Sequence, residues 1–243
     1  MPNIQEKTLD SQVMLFDREY FTEPSPEIFA AHYWSSQNKV LGKALGRGTT
    51  VFFEYQEQEF VLRQYLRGGL IGKVLHDQYL FTGIENSRAW QEFHLLQVML
   101  QQGLPCPTPV AALVTKVGVY YRAAIILGKI PQAQDVFTQL LTAPLDEKIW
   151  QHIGHTISRF HQAQIYHHDL NIHNVMLDNQ QQAWLIDFDK CLKKAGDKWK
   201  QDNLARLKRS LQKEQKLKNI HWQESDWQGL LIGYHTKFID SPV

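Results

Sequence analysis

Cysteine is nearly absent from this chain of 243 residues, which has only Cys106 and Cys191, far apart and outside any Cys-x-x-Cys pair. That excludes a disulfide framework and a zinc knuckle, and it predicts reduced thiols and a cytoplasmic address. Long apolar runs are also missing, so no segment reads as a bilayer span. The first twenty residues set Asp10, Asp17, Arg18 and Glu19 among isolated apolar positions, without the basic start and apolar centre of a secretory signal. Internal repeats and low-complexity linkers are absent too. What remains is an ordinary globular composition, 43% hydrophobic, large enough for one big domain or two lobes sharing a cleft.

A net charge of +1 hides a strong asymmetry. Between Lys190 and Lys218, eleven Lys/Arg face three Asp/Glu, so the rest of the chain is acidic. Such a basic block points to an anionic partner: phosphate, an anionic membrane surface or nucleic acid. The plainer reading is the solvated face of a helix. Nucleic acid is disfavoured, because no RNP-type aromatics or finger spacing lie beside the block.

Residues 40 to 65 read as β structure, with a glycine break at Gly46 to Gly48 and a polar turn at Gln56 to Gln58. A long loop follows, and Ser87 can cap a helix whose Trp90, Phe93, Leu96 and Leu100 recur at helical spacing. Trp90 and Phe93 read as core. "VAALVTKV" and "VYYRAAIIL" read as a hairpin turning near Gly118. After Pro131 the pattern becomes helical, with Ile149, Ile153, Ile157 and Phe160 on one face. Short strands "VML" and "AWLIDF" interrupt it before a basic helix to about Asn219 and a last helix in "SDWQGLLIGYHTKF". The expectation is therefore an α+β chain: residues 1–130 a β-rich lobe with one main helix, residues 131–243 a mostly helical lobe.

The chemistry concentrates in "YHHDLNIHNVMLD", residues 166 to 178. As metal ligands, His167, His168 and His173 lack both i, i+4 pairing and cysteine support. His167 reads better as a buried hydrogen-bonding residue that shapes the loop. Asp187 alone would be a strand-ending turn residue. Joint spacing says more: Asp169 and Asn174 lie five residues apart, and Asp187 follows thirteen residues later at the end of an apolar strand. Phosphoryl transfer needs an acceptor hydroxyl held in line, a destination for its proton, and Mg²⁺ to neutralise phosphate charge. Asp169 suits the proton, while Asn174 and Asp187 supply the hard oxygens that Mg²⁺ prefers.

These residues resemble the protein-kinase superfamily. "HHDLNIHN" matches its catalytic loop H-x-D-L-x-x-x-N at every fixed position, and "DFD" matches D-F-G at two of three. The resemblance implies a two-lobed protein-kinase-like fold with ATP and Mg²⁺, in which Arg63 and Glu92 form the ion pair on the α- and β-phosphates. Arg63 stands where the usual kinase has Lys. "GRGTTV" would cover the phosphates through Gly46, Arg47 and Gly48, with two of the three usual glycines. "FVLRQYLRGGLIGK", "SRAWQEFHLL" and "GLPCPTPVAA" sharpen the likeness to the lipopolysaccharide-core kinases, most closely the kinases of 3-deoxy-D-manno-octulosonic acid (Kdo) of Gram-negative bacteria.

What that resemblance implies is phosphorylation of the 4-hydroxyl of Kdo on a lipid A precursor, by a peripheral enzyme on the cytoplasmic face of the inner membrane. Independent features fit an anionic sugar acceptor better than a protein. Asn171 stands where serine/threonine kinases commonly carry Lys, and no A-P-E segment follows "DFD". Lys193, Lys194, Lys198, Lys200, Arg206, Lys208 and Arg209 could dock the acceptor or the bilayer, with Arg67, Lys73 and Arg88 as further candidates. No protein partner is implied. A kinase for another core sugar such as heptose, or a nucleotide-binding pseudokinase scaffold, are the alternatives.

Overall fold

A computed structural model describes residues 2–45, 49–66 and 77–236 of the chain. Its contacts divide the chain into two compact units, residues 1–98 with 107–129, and residues 99–106 with 130–243. The first is β-rich and the second mostly helical, the α+β class expected. Rather than a single cut near residue 130, the division is discontinuous: the end of one long helix and the turn after it group with the helical unit.

The first unit contains β1 (Ile4–Leu9), β2 (Gln12–Asp17), α1 (Ala31–Ser36), β3 (Val40–Leu45), β4 (Thr49–Tyr55), β5 (Gln58–Gln64), β6 (Tyr79–Leu80), most of α2 (Arg88–Gln101), β7 (Pro109–Val117) and β8 (Tyr120–Gly128). The strands form an antiparallel sheet in the order β1-β2-β7-β8-β5-β4-β3, with β6 added against β8. Gln56 and Glu57 both take positive φ, 48° and 62°, the conformation a two-residue hairpin needs to match strand twist. Gly118 turns β7 into β8 at φ 60°. One sheet face carries an aromatic core in which Trp34 stacks on Phe53 at 3.9 Å and Phe53 on Phe60 at 5.4 Å. Along β5, Phe60 and Leu62 are buried in that core, so the alternation of a strand turns Arg63 to the opposite face.

Helix α2 buries Ala89, Phe93, Leu96 and Met99 at helical spacing, and Glu92 lies on the same stripe. Ser87, fully buried, begins it: its carbonyl accepts from the Gln91 N–H, and its hydroxyl donates to the Ile84 carbonyl at 2.6 Å.

The second unit contains β9 (Gln134–Asp135), α3 (Val136–Leu140), α4 (Glu147–Gln162), β10 (Ile165–Tyr166), β11 (Val175–Leu177), β12 (Ala183–Leu185), β13 (Leu192–Lys193), α5 (Lys198–Lys218) and α6 (Glu224–His235). Asp135 caps α3 by accepting from the Thr138 N–H at 2.9 Å. Helix α4 buries Trp150, Ile153, Ile157 and Phe160. It meets α6 at glycine: a Cβ on Gly154 would lie 1.9 Å from the Leu230 carbonyl oxygen, and one on Gly233 would lie 1.8 Å from that of Gln151. Two backbones approach that closely only where side chains are missing. Helix α5 buries Leu204, Leu207 and Leu211 and stops at Asn219, left-handed at φ 52°. Among the described residues, no helix is long and apolar enough to cross a membrane.

Candidate active site

Strands β11 and β12 pair antiparallel with Val175 opposite Leu185. The ladder runs one step further, the Ile186 N–H donating to the Asn174 carbonyl at 3.0 Å. Asn174 and Asp187 therefore meet at the open end of one short hairpin. Asp187 is left-handed at φ 64°. For a residue other than glycine that conformation costs on the order of 1 kcal/mol, and such outliers cluster at functional sites.

Asp169 is fixed against this hairpin through its main chain. Its carbonyl accepts from the side-chain amides of Asn174 and Asn171, both at 2.9 Å. Using its Nδ2 on Asp169 turns the Asn174 amide oxygen the other way. Asn171 also accepts from the His173 N–H at 2.9 Å and so caps the turn of residues 172–174. The Asp169 carboxylate itself is about two-fifths exposed and contacts Arg206 of α5, through Nη2 and through Nε at 3.1 Å. Partial burial pushes this carboxyl up, but the hydrogen bonds and charge of Arg206 outweigh burial and hold it below its usual value.

Behind the loop stands a buried polar chain. His167 donates from Nε2 to the Ile186 carbonyl at 2.9 Å, tying the loop to the residue before Asp187. Its own carbonyl accepts from Asn203 Nδ2 on α5 at 2.7 Å. Asn203 Oδ1 must then accept, so His161 of α4 donates to it from Nε2 at 3.1 Å and receives the Tyr234 hydroxyl of α6 on Nδ1 at 2.8 Å. Burial drives both imidazoles toward the neutral form this pattern requires, and takes His161 down to about 4 against the opposing effect of its hydrogen bond to Asn203. Three helices thus hold one carbonyl of the loop.

In the first unit, Arg63 Nη2 lies 2.5 Å from both carboxylate oxygens of Glu92, and the Tyr65 hydroxyl donates to Glu92 at 2.6 Å. Glu92 is only 2% exposed, so it is not the solvated helix charge that its position alone would imply. Burial and the Glu92 charge raise the Tyr65 phenol well above its ordinary range, keeping it a donor. Arg88 reaches the Tyr79 hydroxyl at 2.5 Å and lies over the Tyr79 and Tyr65 rings.

Asp169, Asn174 and Asp187 are thus brought together in the second unit, and Arg63 meets Glu92 in the first. Gly46, Arg47 and Gly48, with Arg67 and Lys73, lie outside the described residues. Of the basic candidates, Lys193, Lys194, Lys198 and Arg209 are exposed. Lys200 instead bonds Asp197 at 2.5 Å, Lys208 pairs with Glu224 and Arg206 with Asp169. Sequence reasoning missed Arg206 at the carboxylate, Tyr65 on Glu92, and the supports Asn203, His161 and Tyr234. Arg206, Asn203 and Tyr234 lie tens of residues from the loop, and neither His161, eight residues before Asp169, nor Tyr65 carries a local motif.

Among the described residues, no group of three or more His, Cys, Asp or Glu is arranged for a metal ion. Mg²⁺ does not need one, since it takes one or two protein oxygens and completes its shell with water and phosphate. One carboxylate, Asp187, and the amide oxygen of Asn174, whose Nδ2 is used on the Asp169 carbonyl, fit that demand. The histidines do not fit a transition metal, because His167 is spent on the backbone.

Residues 31–234 match the model of the lipopolysaccharide kinase (Kdo/WaaP) family. The chain is 42% identical over 234 residues to a 3-deoxy-D-manno-octulosonic acid kinase of Vibrio vulnificus, covering 96% of this chain and 99% of that one. A protein of the same name in Vibrio parahaemolyticus is 45% identical, over 92% of this chain and 94% of its own. One in Haemophilus influenzae is 44% identical over 93% and 97%.

Proposed function

Because the chain belongs to the lipopolysaccharide kinase (Kdo/WaaP) family, we propose that it transfers the γ-phosphoryl group of ATP to the 4-hydroxyl of Kdo on a lipid A precursor. The observation that carries this reading is the convergence of Asp169, Asn174 and Asp187 on one hairpin. The Asp169 carboxylate, ionised and partly exposed, orients the acceptor hydroxyl and takes its proton as the new oxygen–phosphorus bond forms and the bond to ADP breaks. Mg²⁺, when bound, neutralises the charge on the transferring phosphoryl. Asn174 and Asp187 would hold it by oxygen, and the left-handed backbone at Asp187 sets the direction of that carboxylate. Arg63, buttressed by Glu92 and Tyr65, would grip the α- and β-phosphates. His167, Asn203 and His161 keep the loop in place without touching the reactants.

We also assign the inner-membrane contact to Lys193, Lys194 and Lys198, which are exposed beside Leu192, itself 48% exposed. Each basic side chain near an anionic surface is worth about 1 kcal/mol.

Purified protein with ATP, Mg²⁺ and Kdo-bearing lipid A precursor should release ADP and give a product phosphorylated at the 4-position. Asp169→Ala should abolish transfer with stability changed by less than about 1 kcal/mol, since the carboxylate is not core. Phosphate mapped to a different hydroxyl, preference for a heptose acceptor, or undiminished turnover in that variant would each refute the assignment. Charge reversal at Lys193, Lys194 and Lys198 should reduce sedimentation with anionic vesicles at low salt more than at high salt.

A further inference from the structure

We propose that the acidic acceptor is received by a cationic stripe on α5, Arg206, Arg209, Lys213 and Lys216, which begins at the Asp169 carboxylate and runs away from it along the helix. This rests on the assignment of Asp169 as the group that takes the hydroxyl proton.

The stripe follows from helical geometry. Asn203, Leu204, Leu207, Leu211 and Glu214 face the interior of the second unit. Residues 206, 209, 213 and 216 recur at intervals of three and four on the opposite side, and all four are exposed. At 1.5 Å per residue they span about 15 Å, the reach of a disaccharide with its substituents. Three other basic residues of the block have contacts of their own: Lys208 with Glu224, Lys200 with Asp197, and Lys194 over the Tyr166 ring. Arg209 and Lys216 make no ion pair among the described residues, and Lys213 has only a 3.5 Å contact with Glu214.

What makes the stripe more than a solvated helix face is its first member. The catalytic loop and its hairpin carry no Lys or Arg between Arg159 and Lys190, although the acceptor and the transferring group are both anionic. Arg206 supplies that charge from a distant helix. Its Nε and Nη2 engage a single carboxylate oxygen of Asp169, leaving the other guanidinium N–H donors for a second anion. A sugar acid presents such a group, a carboxylate on the ring that bears the reacting hydroxyl. Caught by Arg206, it would bring that hydroxyl to Asp169, while Arg209, Lys213 and Lys216 take up phosphates on the sugars beyond. Read from the helix outward, the stripe fits an acceptor with one carboxylate beside the reacting hydroxyl and phosphates further along, as the acceptor of the proposed function has.

Steady-state kinetics on the full chain separates the possibilities, with Kdo-bearing lipid A precursor held in uncharged detergent micelles so that membrane attraction plays no part. The triple variant Arg209→Glu, Lys213→Glu, Lys216→Glu should raise the KM for the precursor at least tenfold and leave the KM for ATP within twofold. Arg206→Ala should lower kcat/KM for the precursor a hundredfold while leaving the KM for ATP within twofold. Arg206→Lys should restore part of the loss. Unchanged acceptor KM in the triple variant, or undiminished kcat/KM for the precursor in Arg206→Ala, overturns the proposal. So does a triple variant whose defect appears only with anionic vesicles and vanishes in micelles, because the stripe would then be a membrane contact. Failure of the function itself looks different: the unaltered protein would not phosphorylate the precursor, or Asp169→Ala would retain activity.

Discussion

Arg63 meets Glu92 with one nitrogen poised between both oxygens rather than with a parallel fork, so it acts on this carboxylate much as an ammonium would. Arg63→Lys should therefore cost less than about 1 kcal/mol in urea unfolding, whereas Arg63→Ala strands a charge that is 2% exposed and should cost about 3–5 kcal/mol. Asp187 has two separable properties, its charge and its left-handed backbone. Asparagine tolerates the same backbone, so Asp187→Asn should hold stability within about 0.5 kcal/mol while raising the Mg²⁺ concentration for half-maximal rate more than tenfold. The grouping of Asp169, Asn174 and Asp187 was legible in the sequence because its spacing is local, a loop and a hairpin within about twenty residues, whereas Arg63 and Glu92, 29 positions apart, were paired only through the kinase resemblance. The Arg206 contact was not, since it joins positions 37 apart and leaves no pattern in either segment. Charge counting placed Arg206 in a basic block; only the fold shows which anion it meets.

Individual elements differ in how plainly they were written. Helix α4 and the β7–β8 hairpin follow from apolar periodicity and a turn glycine. The β1–β2 hairpin was missed, because β1 is largely exposed and its turn at Asp10, φ 47°, lacks the usual glycine signal. Strand β6 hides in what reads as loop, two residues paired with β8. The α4–α6 contact was also silent in the sequence: glycine at 154 and 233 looks like weak helix, yet the helices need it to meet. Gly154→Ala or Gly233→Ala forces a methyl onto a backbone carbonyl that cannot rotate away. Each should destabilise the protein by about 3 kcal/mol despite the better helix propensity of alanine, as read from urea midpoints. Asn203→Leu, of similar size, should leave the His167 carbonyl and His161 Nε2 without partners, cost about 2–3 kcal/mol, and slow transfer with little change in the KM for ATP.

For the whole molecule, the buried His161 ties stability to pH. Its folded value of about 4 lies below the ordinary 6.5, so the unfolded chain binds more protons through that window. Stability should thus fall as pH drops from about 6.5 toward 4, by on the order of 3 kcal/mol, and His167, shifted the same way by burial, adds to the loss. His161→Gln should flatten the slope in thermal unfolding measured across that range. Residues 99–106 group with the helical unit rather than with the β-rich one, a division the sequence does not show, because a helix that runs across a boundary carries no mark of it.

The chain of hydrogen bonds from Tyr234 through His161 and Asn203 to His167 has a consequence for synthesis. A ribosome that has just released residue 190 has made every group expected to touch ATP, yet none of the buttresses contributed by α5 and α6. The nascent polypeptide should stay inert until α6 has emerged, so that phosphate is not spent by a half-made enzyme.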